Sequence, residues 1–251
     1  MCWWPTYLHA GDFASLYQKP REPHEENLFG PGLKASNIWY GHELSVCWMQ
    51  PELPPGFTFD PGLAQSYDES GWCFVEAAIS AGVKVGKRRL DLSKRTRDAM
   101  GHAYGGDWNR NYMLEDVCAA ARLPPLLPDD VRRLLTTEKK FTASADLDKV
   151  DQLYRTFFDG VTLAATQLNM QGLGWTETQV EQLVAVLPRF TALTWLDLSH
   201  NKLGVKGAKI FAPAIAVNAS IMSIDLSANH LGPEGAKALA PAIRDSPSVT
   251  G

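Results

Sequence analysis

Apolar and polar residues alternate in short bursts along the C-terminal part of this chain, and the bursts recur. LTWLDLSHNKLGVKGAKIFAPAIAVNAS, beginning at Leu193, is followed at once by IMSIDLSANHLGPEGAKALAPAIRDSPS. Asp197 and Asp225, Asn201 and Asn229, Gly204 and Gly232, and Pro213 and Pro241 each stand 28 residues apart. A fixed period in the twenties, with leucines at constant phase, predicts stacked strand–turn–helix units. Period-2 alternation turns Leu196, Leu198, Ile224 and Leu226 inward. It leaves Trp195, Asp197, Ser199, Ser223, Asp225 and Ser227 on the open face. Leu163, Leu168, Leu173 and Gly174 precede Leu193, Leu198, Leu203 and Gly204 by 30. That offset implies a diverged first unit with Thr166 and Leu168 inward and Ala165, Gln167 and Asn169 outward. Gln171 then takes the place of the turn asparagine.

Within each unit the turn amides of Asn201 and Asn229 should satisfy backbone groups that stacking hides from water. The following helix should bury Ala208, Phe211, Ala212 and Ile215, matched by Ala236, Leu239, Ala240 and Ile243. Pro213 and Pro241 fall inside that helix and imply a bend or an early end. Val249 lies one period after Ile221, so a fourth strand is starting and the repeats are expected to be C-terminally incomplete.

Upstream the pattern is less regular. The apolar opening MCWWPTYL reads like the inside of a fold, which suggests an N-terminally truncated domain. Residues 21–26 are charged and loop-like. Leu28, Leu33, Ile38 and Trp39 have helical spacing that Gly30, Pro31 and Gly32 interrupt. LSVCWM, residues 44–49, predicts a short buried strand, and prolines from Pro51 to Pro61 predict a long loop. Ser70 starts a helix that is apolar on two sides, with Glu69, Glu76 and Ser80 on a narrow polar strip. A strand over 89–92 follows, so residues 1–98 read as an α/β layer with a parallel sheet. Residues 99–160 read as a helical connector and repeat cap. They hold a short helix over 114–121, the LPPLLP stretch, a helix from Asp129, and an amphipathic helix over 146–158. The Pro-x-x-Pro spacing in LPPLLP reads as a rigid connector in preference to a polyproline ligand.

Composition narrows the function classes. In 251 residues, 45% are apolar and 21% charged, enough for packed cores without staples. A net charge of -4 and a pI near 5.9 exclude nucleic acid as the main partner. Cys2, Cys47, Cys73 and Cys118 are too scattered for a zinc pattern and read as reduced thiols, with a cytoplasmic location as the default. No metal site, P-loop, signal peptide or membrane span is legible.

The repeats resemble the ribonuclease-inhibitor-like class of leucine-rich repeats, which implies a short α/β solenoid of about three units over residues 161–251. YDESGWCFVEAAIS, from Tyr67, resembles the Toll/interleukin-receptor (TIR) pattern of Tyr, Ser, Trp-Cys and a spaced Glu. Asp12, Ser15 and Gln18 are similar to the second-strand region of TIR-like and heterokaryon-incompatibility-like domains. The resemblance implies a TIR-like α/β fold for residues 1–98 and Glu76 as a catalytic carboxylate cleaving NAD, which would be substrate and not cofactor. The other reading of Glu76 is a solvated helix residue beside Trp72 and Cys73. Lys87, Arg88 and Arg89 belong to a basic run that suits an anion, or else a solvated strand edge. Two functions follow. One is a scaffold or signalling protein of the immune-receptor kind, binding a protein partner through Gln167, Asn169, Trp195, Asp197, Ser199, Ser223, Asp225 and Ser227. The alternative is a TIR-like NAD hydrolase with the repeats as sensor. Self-association through the open C-terminal edge is expected in either case.

Overall fold

A computed structural model describes residues 21–42, 45–49, 62–84, 86–94, 117–141 and 143–250. Asp12, Ser15, Gln18, the opening aromatics, the proline-rich loop up to 61 and the glycine-rich stretch near 105 lie outside them. The chain divides into two compact units, Met1–Ala121 with Asp129–Tyr154, and Arg122–Pro128 with Arg155–Gly251.

In the first unit, α1 (Pro23–Gly41) runs without a break through Pro31. Of the loop expected over 21–26, residues 23–26 are instead the first turn of this helix. Pro23 supplies a preset φ at the first turn, and the Glu22 N–H donates to the Glu25 carboxylate at 2.8 Å in a capping box. Strand β1 (Cys47–Met49) pairs in parallel with β2 (Arg89–Asp91), in the register Cys47 to Arg89. The strand is not buried on both faces as expected: Trp48 is 69% exposed and Met49 is buried. Between them, α2 (Gly71–Val83) starts at Ser70, whose Oγ accepts the Cys73 N–H. A Cβ at Gly71 would stand 2.1 Å from the Phe141 ring, so a larger residue here must displace that ring. The same approach lets Gly71 donate to the Lys140 carbonyl at 3.0 Å, while Lys140 donates to the Glu69 carbonyl at 2.7 Å.

The helix expected over 114–121 does not reach its end. Ala119 forms a bridge with Leu90, and Ala120 donates to the Arg89 carbonyl. Cys73 is disulfide-bonded, whereas Cys47 and Cys118 are free thiols. The expectation of four reduced thiols therefore fails at Cys73, since spacing along the chain does not reveal which sulfurs the fold brings within bonding distance. Helix α3 (Pro128–Thr137) carries Asp129 and Asp130 in its first turn, where the helix dipole favours them.

Helix α4 (Asp146–Ala164) continues past the expected end at Phe158, and the division between units falls within it. Leu163 is therefore a helix residue, 59% exposed, and not a leucine of the first repeat. In the second unit three parallel strands lie in order: β3 (Gln167–Asn169), β4 (Trp195–Asp197) and β5 (Ser223–Asp225). Gln167 pairs with Trp195 and Trp195 with Ser223, so the first step is 28 residues, like the second. The offset of 30 read from Leu163, Leu168, Leu173 and Gly174 is thus wrong by two, and Leu173 holds the turn-asparagine position. Scattered leucines admit two alignments, and the backbone ladder selects one. Thr166, expected inside, is exposed. Its carbonyl accepts from Thr194 N at 2.9 Å, that of Thr194 from Met222 N at 2.8 Å, and that of Met222 from Thr250 N at 2.9 Å. Near Val249, where a fourth strand was expected, no strand forms among the described residues, although Thr250 N continues this row of bonds.

After each strand comes a helix: α5 (Glu177–Val186), α6 (Gly204–Val217) and α7 (Gly232–Asp245). Pro213 and Pro241 neither end nor interrupt α6 and α7, which continue for four residues beyond each proline. Both rings are on exposed positions, where the carbonyl a proline leaves unpaired can meet water. Helix α6 packs between α5 and α7 and buries Ala208, Phe211, Ala212 and Ile215 as expected. The matching set on α7 does not: Leu239 is buried, but Ala236 and Ala240 are exposed and Ile243 is 42% exposed. Among the described residues α7 has a helical neighbour on one side only, and those positions face away from it.

Candidate functional site

The open face of β3, β4 and β5 presents three rows fixed by the register. Gln167, Trp195 and Ser223 form the first, Asn169, Asp197 and Asp225 the second, and Gln171, Ser199 and Ser227 the third. Ala165 drops out and Gln171 enters, as the corrected step requires.

The second row has a structural task. Asn169 Oδ1 accepts the Gln171 N–H at 3.0 Å, Asp197 Oδ1 that of Ser199 at 2.8 Å, and Asp225 Oδ1 that of Ser227 at 2.8 Å. Each short acceptor thereby closes the chain as it leaves the strand, an Asx turn repeated three times. The Ser227 bonds hold the Asp225 carboxyl below its usual pKa, with the His200 charge adding to the same effect. Asp197 and Ser199 are not open positions as expected: they are 6% and 1% exposed. Ser199 Oγ also receives a bond from Gln171 Nε2 at 3.0 Å, so it is engaged within the sheet. Gln167, Asn169, Asp225 and Ser227 are exposed, and Trp195 and Ser223 half-buried. These six, with Gln171, are the residues a partner can reach.

Below this face the turns stack on Asn201 and Asn229. Asn201 Nδ2 donates to the carbonyls of Met170 and Leu198 at 2.8 Å and of Ser199 at 3.2 Å, while its Oδ1 accepts Trp175 N at 3.0 Å. Asn229 repeats the pattern one unit on, with Leu198, Leu226 and Ser227. The sequence reading of these two residues holds in full. It missed Trp175, which is 1% exposed and donates Nε1 to the Arg122 carbonyl at 2.9 Å. Arg122 in turn gives its guanidinium to the Asn169 carbonyl at 2.9 Å and so closes the free edge of β3. The signal for this pairing was weak, because Trp175 and Arg122 lie 53 residues apart.

One turn position adopts a left-handed backbone in every unit: Gly172 at φ 66°, His200 at φ 55° and Ala228 at φ 53°. Only the first is glycine. Ala228→Gly should raise stability by about 0.5–1 kcal/mol, because the Cβ that disfavours this conformation is removed. Urea unfolding of both proteins checks it, and a loss of stability would count against strain at this turn.

In the first unit, Glu76 is 7% exposed, not the solvated residue that was the alternative reading. Burial, and then the Glu76 charge, push the Tyr67 hydroxyl well above its usual pKa, so the two groups sit within electrostatic reach. Among the described residues the basic run is divided: Lys84 is buried, Arg88 and Arg89 are half-buried, and Lys87 and Lys94 are exposed. Arg89 Nε donates to Ser80 Oγ at 3.1 Å and its Nη1 to the Ala121 carbonyl at 3.0 Å. Lys84, buried, donates to the His42 carbonyl and to Ser45 O and Oγ at 2.9 and 2.8 Å, and burial lowers its pKa. Lys94 donates to the Ala119 carbonyl at 2.6 Å. Of the three residues proposed for an anion, Lys87 is exposed and Arg88 half-buried, while Arg89 is committed to the protein itself. Pro124 and Pro125 are buried, which favours the connector reading of LPPLLP. Among the described residues no cluster of three metal-ligating side chains forms, and no helix is long and apolar enough to cross a membrane.

The leucine-rich repeat family model matches residues 191–212 and 217–240, the segments that carry β4 with most of α6 and β5 with most of α7. Leucine-rich repeats are thus present in this chain. No curated protein matches it.

Proposed function

We propose that this protein binds another protein through the open face of β3, β4 and β5. One observation carries the reading: a parallel three-strand face, two strands of which lie in the matched leucine-rich repeats, sets the half-buried Trp195 between uncharged Gln167 and Ser223. Large aromatics on an otherwise polar face are the side chains that contribute most when an interface closes over them. The framework around it is spent on the fold, as Asn201, Asn229 and the Asx turns show, so recognition falls to the exposed positions between.

A photo-crosslinking residue in place of Ser223 should give a protein adduct in extract of the source cell. The same residue at Lys237, on α7, should not. The adduct should weaken with Trp195→Ala, and absence of any adduct specific to Ser223 would count against the reading. The enzymatic alternative is held apart by incubation with NAD: nicotinamide release that is lost in Glu76→Ala would put cleavage in place of binding.

A further inference from the structure

We infer that α7 joins a second copy of this chain, helix against helix, in a closed two-fold dimer. Pro233, Ala236, Ala240 and Ile243 lie along one side of α7 at steps of three, four and three, the spacing of a helix–helix seam. All four are exposed. The same side of α6 shows what such a stripe receives. Ala208, Ala212 and Ile215 stand 28 residues before Ala236, Ala240 and Ile243, and they are buried. What lies against them is α7: a Cβ on Gly235 would stand 3.4 Å from that of Ala208. The stripe on α7 therefore repeats the residues that hold a helix on α6, and among the described residues no helix covers it.

The order of side chains selects a second copy. In an antiparallel pair centred between Ala236 and Ala240, Ala236 of one copy meets Ala240 of the other, and Pro233 meets Ile243. Small residues at the middle allow close approach, larger ones fill both ends, and each contact is made twice. Lys237 and Arg244 stand at the solvent rim, and each already holds a carboxylate of its own helix, Glu234 at 2.7 Å and Asp245 at 2.8 Å. Closing the seam thus buries no unpaired ion. Stacking in a row is blocked at the other end of the sheet, where Arg122 donates to the Asn169 carbonyl at the edge of β3. The assembly therefore closes at two chains. Four side chains on one helix fall short of the roughly 800 Å² per partner of a stable complex, so a dissociation constant on the order of 10 μM is expected. The face of β3, β4 and β5 takes no part. A crosslinking chain kept well below that concentration stays single, so its Lys237 control is unaffected.

Sedimentation velocity of the full chain, from well below to well above that constant, reads the mass. It should rise from one chain to two and stop there. Ala240→Glu, which brings a carboxylate from each copy into the seam, should weaken the dimer by about tenfold or more. Lys209→Glu, an exposed change on α6, should leave it as it is. Thermal melts check that both variants fold. A short bismaleimide gives a second reading: it should join Ala240→Cys chains above the background of the parent chain, and Lys209→Cys chains not. If Ala240→Glu fails to fold, the bismaleimide result decides. A single chain at every concentration overturns the inference, and so does growth beyond two chains. A dimer as strong in Ala240→Glu as in Lys209→Glu, or equal joining of the two cysteine variants, overturns it as well. The crosslink from position 223 judges the binding face separately.

Discussion

Asn201→Ala should lower the unfolding free energy of the repeat unit by about 3 kcal/mol or more. The side chain is 2% exposed and makes four hydrogen bonds, three as donor and one as acceptor. Alanine removes them without offering water a way in, so Met170 O, Leu198 O and Trp175 N lose buried partners together. Each buried group left unpaired costs about 1–3 kcal/mol. Leu198 O keeps a bond from Asn229 Nδ2, which moderates its share. Asn229→Ala should cost less, since its contact with Leu203 N is long at 3.5 Å. Urea unfolding followed by circular dichroism gives both values. A loss below about 1 kcal/mol at Asn201 would show that the amide is not what holds the turns together.

Trp175→Ala should be at least as damaging, at about 3–5 kcal/mol. The indole is 1% exposed, so truncation opens a large cavity. It also releases the Arg122 carbonyl, and with it the arginine that closes the edge of β3 through Asn169 O. Trp175→Phe separates the two contributions: most of the packing stays, the Nε1 bond goes, and about 1–2 kcal/mol should be lost. If the alanine and phenylalanine variants unfold alike, packing of the indole contributes little and the lost edge closure accounts for most of the effect. Trp175 N is also a partner of Asn201, so the Asn201→Ala, Trp175→Ala double variant should lose less than the two single losses added together.

How much is legible in the sequence depends on whether a residue's task is local. Asn201 and Asn229 follow from period and type, because an amide at that phase of a stacked turn has one use. Helices α2 and α3 follow from Ser70 and from Asp129 and Asp130, since capping and dipole effects act within one turn. The first repeat is misaligned in the sequence because Leu163, Leu168 and Leu173 fit two offsets, and only the pairing of Gln167 with Trp195 separates them. Asp197 and Ser199 look open there because period 2 gives a side, not an exposure, and both are engaged or covered once the strands assemble.

Side-chain type at a fixed phase is enough to give the repeat: its 28-residue period, the inward leucines, the turn asparagines and the outward Trp195 and Asp225 all follow from it. Tertiary structure alone decided the step of the first unit, the closure of β3 by Arg122 under Trp175, the burial of Glu76 and Lys84, and the inward turn of Arg89. Each of these joins residues far apart in the chain, or sets how much water a group retains. Neither quantity is encoded locally, because both depend on which backbone the fold brings alongside. The two carboxylates of Asp197 and Asp225 show the difference most clearly. Their spacing was visible in the sequence, and the burial of the first beside the exposure of the second was not.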